Sequence, residues 1–503
     1  MGNIFSPRYY FKQKLRKDLV AYFFIIFLMP LFYSNAYAAE RIVIRVCLDE
    51  GVNQADFRVL SGNYQLIDGA TGLVVAQPEI NELWSVIKQG PVMRIRREGN
   101  TLAHPYAGPI LLLPGNSEEL ALFRYRNIRY RNALSISNKQ DGLLVVTLQD
   151  LEHYLYGVVG KEMGVNAGFE ALKAQAVASR SYALSFIGNP AGYDVGIDVN
   201  TQVFGGYDAE LLPGSANVLR AVNETEGKVL YYNNQLVRAV FHANAGGFTE
   251  NSENVWTAAV PYLRGVNSPE DIWAHQFPVQ VNGWPSDSFQ WVKTFTRSQL
   301  DEQIRSWNGR ATNTGRFDDV INVGTIQDLV ATRLTRDGTG QTNSGRVTQL
   351  DFVGSRGVKS FFRDHIRRVF GLKSTLFEVT MDSQIAVRGV NGLIVVNRGN
   401  SLIAAGANGY SANVNGVNSS YFLTGNGTRR QVPKNFSVVT FSGRGHGHGV
   451  GMSQWGARGM AEKGYNYEQI LQHYYNPDRV EGVLTIESIR FQEHANLDAS
   501  RRL

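Results

Sequence analysis

Two stretches of the chain combine chemically capable residues with unusual spacing. The first is YLYGVVGKEM, Tyr154–Met163, in which one carboxylate, Glu162, stands among Val158, Val159 and Met163. An apolar setting disfavours the charged form of a carboxylic acid and lifts its pKa toward neutrality. There it can donate a proton and take one back. The stretch reads as an apolar strand or turn that delivers Glu162 to the mouth of a helix downstream. The second stretch is FSGRGHGHGVGMSQWGARG. In it Gly443, Gly445, Gly447, Gly449 and Gly451 alternate with Arg444, His446, His448, Val450 and Met452. If extended, one face would be bare backbone, open to close approach. The other face would present Arg444, His446 and His448 in a row, as the wall of a substrate groove does. A glycine-dense turn with solvent-facing histidines is the plain alternative. A metal site lacks evident third and fourth ligands, and a phosphate loop lacks its lysine and its strand–helix spacing.

Several elements must position these groups. A helix is predicted over Ala167–Gly188, with Asn166 as N-cap, Glu170 at the positive end of its dipole and Gly188-Asn189-Pro190 as the stop. Phe169, Leu172, Ala176, Ala183, Leu184 and Ile187 share one face, and small residues line a second, so the helix is buried. Arg180 falls inside the apolar face and must meet a carboxylate or a ligand. From Arg41 to Leu151 short apolar runs alternate with Gly, Asn and Asp turns, as in a β-rich region. KVLYY, Asn233-Asn234 and LVRAVFH form a hairpin pattern. Trp291–Trp307 looks helical, RVTQLDFVG a strand and FRDHIRRVFGL a short amphipathic helix. YEQILQHYY is a helix, and VLTIESIRF a last strand.

Composition bounds the class. At 503 residues, with ordinary charge and ample apolar content, the chain is a large folded protein rather than a disordered one. The N-terminus has a basic region (Arg8, Lys12, Lys14, Arg16, Lys17), an apolar run from Leu19 to Tyr33 and an Ala36-Tyr37-Ala38 site. These are the parts of a cleaved secretory signal, with a retained membrane anchor as the alternative. The run is short for a spanning helix of roughly 20 residues. The formal charge of +6 comes mostly from this leader, and the remainder carries about +2. That argues against nucleic-acid binding. With one cysteine, Cys47, there is no internal disulfide, no cysteine metal cage and no redox pair. The expected division is 1–38 leader, 39–150 β-rich region, 151–376 first part of a catalytic core, 377–440 Gly/Asn-rich β insertion, 441–495 second part of the core and 496–503 tail.

Three ordered stretches resemble the stage II sporulation protein D family, which includes the amidase enhancers. They are YLYGVVGKEM…EALKAQAVASRSYAL, VFHANAGGFTENSENVW…PYLRGV and GRGHGHGVGMSQWGARGMAEKGYNYEQILQHYY. The resemblance implies an exported lytic transglycosylase acting on peptidoglycan glycan strands, in a mixed α+β fold. The glutamate of the family's EM dipeptide matches Glu162. From the residues themselves, a groove is expected in which Arg180, Tyr182, Asp198, Gln202, His242, Arg444, His446, His448, Ser453 and Gln454 bind substrate. A salt bridge from Arg180 would spoil Glu162 as an acid, so Arg180 should face something else. Glu152, Glu170, Asp194 and Asp198 are the carboxylates that would permit hydrolysis if one stood across the groove. Some relatives bind zinc near the position of His242; here no cysteine accompanies it, so no metal or cofactor is expected. A wall amidase is a possible partner. The rival functions are a non-catalytic wall-binding enhancer of an amidase and a zinc hydrolase built on His242, His446 and His448.

Overall fold

The computed structural model describes residues 41–115, 119–275, 288–388 and 435–490, with strand segments between 394 and 433. The leader (1–38) and the tail (496–503) lie outside the described residues. The fold is mixed α+β, and its architecture lies in the unit Ile44–Ala495. None of the described helices is long and apolar enough to cross a membrane.

The β-rich beginning is two six-stranded sheets. Alternation drives their packing: Ala55, Phe57 and Val59 point inward from Gln54–Ser61, while Gln54, Asp56 and Arg58 face out. The last strand, Gly142–Asp150, is buried along nearly its whole length. It runs directly into helix α1, Leu151–Met163. The expected strand or turn before Glu162 is therefore a helix. Asp150 caps it, its carboxylate accepting from the N–H groups of Glu152 and His153 at 3.0 and 3.2 Å.

Helix α2 spans Phe169–Leu184. It is shorter than predicted at both ends, and its N-cap is Gly168. Asn166 instead accepts from Arg458 at 3.3 Å. Residues Ala174–Leu184 of α2 are all buried, because the helix is wrapped by α1, by α3 (Ser215–Glu224), by strand Lys228–Tyr232 and by two C-terminal helices. The latter are α5 (Gln454–Glu462), absent from the sequence expectation, and α6 (Tyr467–Tyr475). The predicted hairpin is present, turning at Asn233 and Asn234 with φ of 48° and 63°. Strand Leu484–Ser488 pairs along its other edge.

A second core gathers Trp291, Leu300, Trp307, Leu350, Phe352, Phe370, Phe377 and Phe441. The segment expected to be helical from Trp291 begins as a strand, Gln290–Thr296, and turns into α4 (Arg297–Asn313) at a capping box between Thr296 and Gln299. Strand Val438–Arg444 lies between Gln290–Thr296 and Phe377–Met381. The start of the expected insertion thus belongs to this core. Val438–Arg444 hands the chain straight to the glycine–histidine stretch.

Candidate active site

Glu162 occupies the last turn of α1. Its Oε1 accepts from the backbone N–H of Val203 at 2.6 Å, and its Oε2 from Gln454 Nε2 at 3.3 Å. The residue keeps partial solvent exposure, as an acid that must reach a substrate does. Burial of the carboxyl group pushes its pKa up to about 7, against the opposing effect of those two donors. Tyr154 and Tyr182 both feel its charge.

Each partner is delivered by a separate element. Val203 sits in a loop folded over α1, where Gly205 N–H donates to Gly157 O at 2.9 Å. Phe204 lies so close that a Cβ on Gly157 would fall 2.4 Å from its ring, so only glycine fits there. The following turn, Gly206–Leu211, is tied to the N-terminal sheets by Arg131 and Glu210 at 2.5 Å. Gln454 opens α5, and its amide also reaches the Glu162 carbonyl at 3.0 Å and Gln175 at 3.3 Å. One turn on, Arg458 donates to the Met163 carbonyl at 2.9 Å. A helix ends with unpaired carbonyls and partial negative charge, which a donor and a cation satisfy. Gln454 and Arg458 therefore clamp the end of α1 that carries Glu162. The sequence reading passed over Gln175, Val203 and Arg458; a buried-helix arginine four residues after Gln454 was the available signal.

Among the other expected site residues, Arg180 is fully buried, with a bidentate bond to Glu152 at 2.8 and 2.6 Å. It has no face toward a groove, and it leaves Glu162 free to hold a proton. Tyr182 is buried and senses the charge of Glu162. Gln202 is buried next to Val203; its Oε1 accepts from Tyr154 at 3.0 Å, and its Nε2 has no partner among the described residues. Asp198 is exposed and closes its own turn, accepting from Asn200 N–H at 2.9 Å. Ser453 is wholly buried, where it caps α5 and donates to Asp271, so it does not line a groove. Asp271, which the sequence reading did not single out, is itself pushed up to about 6 by burial.

The glycine–histidine stretch is not an extended row. Gly445, Gly447, Gly449 and Gly451 all have positive φ, between 70° and 101°, which glycine alone adopts without strain. Arg444 ends its strand exposed. The His446 backbone pairs with Asn244. His448 packs 5.2 Å from His242 and 5.0 Å from Trp256. Burial holds His448 down at about 4 and His242 well below its ordinary value, so both are neutral. A short parallel pairing links this cluster to Glu162: His242 stands opposite Ser453, the residue before Gln454, whose amide bonds the Glu162 carboxylate.

The donors around His242 do not fit zinc. Its Nδ1 donates to Val450 O at 3.1 Å, which leaves Nε2 a bare acceptor without a partner among the described residues. But His448 Nδ1 is taken by Val450 N–H at 3.1 Å. The nearby buried cation is the Arg346 guanidinium, which bonds Ala245 O at 2.8 Å and lies against Gly449. Among the described residues no three His, Cys, Asp or Glu side chains group to hold a metal.

Residues 139–232 match the family model SpoIID, described as Stage II sporulation protein. Glu162, Val203 and Gln202 fall inside that match, and Gln454 outside it. The chain is 29% identical over 328 residues to the amidase enhancer of Bacillus subtilis (strain 168), covering 64% of this chain and 39% of that protein. It is 27% identical over 343 residues to Stage II sporulation protein D of the same organism, covering 66% and 74%. The Stage II sporulation protein D of Bacillus amyloliquefaciens is 27% identical over 344 residues, covering 65% and 72%.

Proposed function

We propose, from the SpoIID likeness and the geometry around Glu162, that this chain is an exported peptidoglycan lytic transglycosylase. The names of its relatives support a cell-wall role. The observation that carries the reaction is a single partly exposed carboxylic acid with a pKa of about 7 and no second carboxylate acting on it. The other candidates are engaged elsewhere. Glu152 binds Arg180, Asp194 binds Arg45 at 2.8 Å, Glu170 binds Lys173 at 3.2 Å, and Asp198 closes a surface turn.

Hydrolysis uses two carboxylates, one on each side of the scissile bond. One group suffices if the nucleophile belongs to the substrate. Glu162 gives its proton to the glycosidic oxygen as the bond to the anomeric carbon of N-acetylmuramic acid breaks. The resulting carboxylate then takes the proton of the same sugar's 6-hydroxyl, whose oxygen bonds to the anomeric carbon. The products are a new chain end and a 1,6-anhydro ring; no water is consumed, and Glu162 is protonated again.

The test is product mass after incubation with purified glycan strands. Ends one water lighter than hydrolytic ends are expected, with cleavage lost in Glu162→Gln and binding kept. Hydrolytic ends, or undiminished cutting by Glu162→Gln, overturn the assignment. One relative's name, amidase enhancer, favours a second function: a non-catalytic wall protein that aids an amidase. Intact strands after incubation with the wild-type chain, together with faster turnover by an added amidase, would select it.

A further inference from the structure

Arg238 leaves the hairpin between two fully buried residues, Val237 and Ala239, so alternation turns its side chain outward. It is exposed yet pinned. Its backbone N–H donates to the Tyr262 hydroxyl at 3.2 Å. Its guanidinium lies 4.2 Å over the ring of Phe186, close enough to Tyr182 to favour the ionised form of that hydroxyl. The Tyr182 ring packs 4.9 Å from Phe186 and 6.1 Å from Phe241, both half-buried. Tyr182 also feels the charge of Glu162. This cation on an aromatic shelf thus borders Tyr182, which senses the charge of Glu162.

Among the described residues this guanidinium has no carboxylate partner. The contrast with Arg180 on Glu152 and Arg264 on Glu253 is direct. An arginine held flat on a ring keeps its planar fork in one orientation, and that fork matches a carboxylate through two parallel bonds. The flanking aromatic rings offer apolar area to a sugar ring.

We propose that Arg238 is a substrate-binding, specificity-determining residue of the Glu162 groove, and that it takes a carboxylate carried by the glycan. This rests on the reading of the groove as a glycan site. Two sources share the chemistry: the lactyl carboxyl of muramic acid when it is free, and a carboxylate of an attached peptide.

Binding by the Glu162→Gln protein, which does not turn strands over, separates the proposal from the reaction. Three ligands are compared: strands with free lactyl carboxylates, the same strands with those carboxyls reduced to alcohols, and strands retaining peptides. Adding Arg238→Gln is expected to weaken binding of a carboxylate-bearing ligand by about tenfold and to leave the reduced strands unaffected. Arg238→Lys, which keeps the charge and loses the fork, recovers part of the loss. The strand type that responds identifies the source. Equal affinity for free, peptide-bearing and reduced strands, with or without Arg238→Gln, overturns the proposal while leaving any anhydro product as found. Failure to form anhydro ends overturns the reaction instead, and a carboxylate-dependent affinity would still stand.

Discussion

Glu162 is held between opposing influences. Burial keeps the proton on, while Val203 N–H and Gln454 Nε2 stabilise the carboxylate that forms when the proton leaves. An acid that turns base within one cycle needs both states within reach, and a pKa near the working pH supplies that. The sign of the pH dependence follows. Protonation of the leaving oxygen fails as pH rises through about 7. Replacing Gln454 by Leu removes a donor that favours the charged form, so the pKa rises further. A bond to a charged group is worth about 1.5 kcal/mol, or about one pH unit. The alkaline limb of kcat/KM should therefore move upward by about one pH unit in a profile from acid to alkaline pH. An unmoved or lowered limb would show that Gln454 only braces the helix end. Glu162 was legible in the sequence from its apolar neighbours. Its hydrogen-bond partners were not, since Val203 contributes only backbone, which no residue type reveals.

At the scale of elements, α1 and α2 are locked by the Arg180–Glu152 pair, which also takes in the Lys228 carbonyl at 2.9 Å. The demand for a partner was readable from an arginine on an apolar helix face. The partner's identity was not, because α1 was read as a strand or turn. Its Val158, Val159, Gly157 and Gly160 are weak helix formers, and packing overrides them. The glycines serve that packing: Gly160 lies against Val165 and Val218. Breaking one side of a buried pair leaves an uncompensated charge. Glu152→Gln should accordingly destabilise the fold by about 3–5 kcal/mol in denaturant titration. The double replacement Glu152→Leu with Arg180→Met should recover most of that loss. A Glu152→Gln protein as stable as wild type would contradict this account.

Across the whole molecule, His242, Arg346 and His448 converge from three distant segments, just as Glu162, Val203 and Gln454 do. In the first group convergence brings a buried guanidinium to the side of a bare histidine nitrogen, and a cation there repels a second one. Treatment with a strong chelator should leave both the melting temperature and strand cleavage unchanged. A fall in either would locate a metal that this donor set does not explain.

Read without its fold, the chain already names the residue types on which the proposed chemistry rests: one carboxylic acid in apolar company and a buried arginine that needs a partner. Such demands are local and can be read from neighbours along the chain. Tertiary structure alone decided which partner meets each demand. It sent Arg180 to Glu152 rather than to a sugar, buried Ser453, and placed Gln454 and Arg458 on the end of α1, 292 and 295 positions away. It also laid Arg238, which has no carboxylate partner among the described residues, over the ring of Phe186 next to Tyr182. Those outcomes depend on distances between segments remote in the chain, and spacing in sequence carries no measure of them.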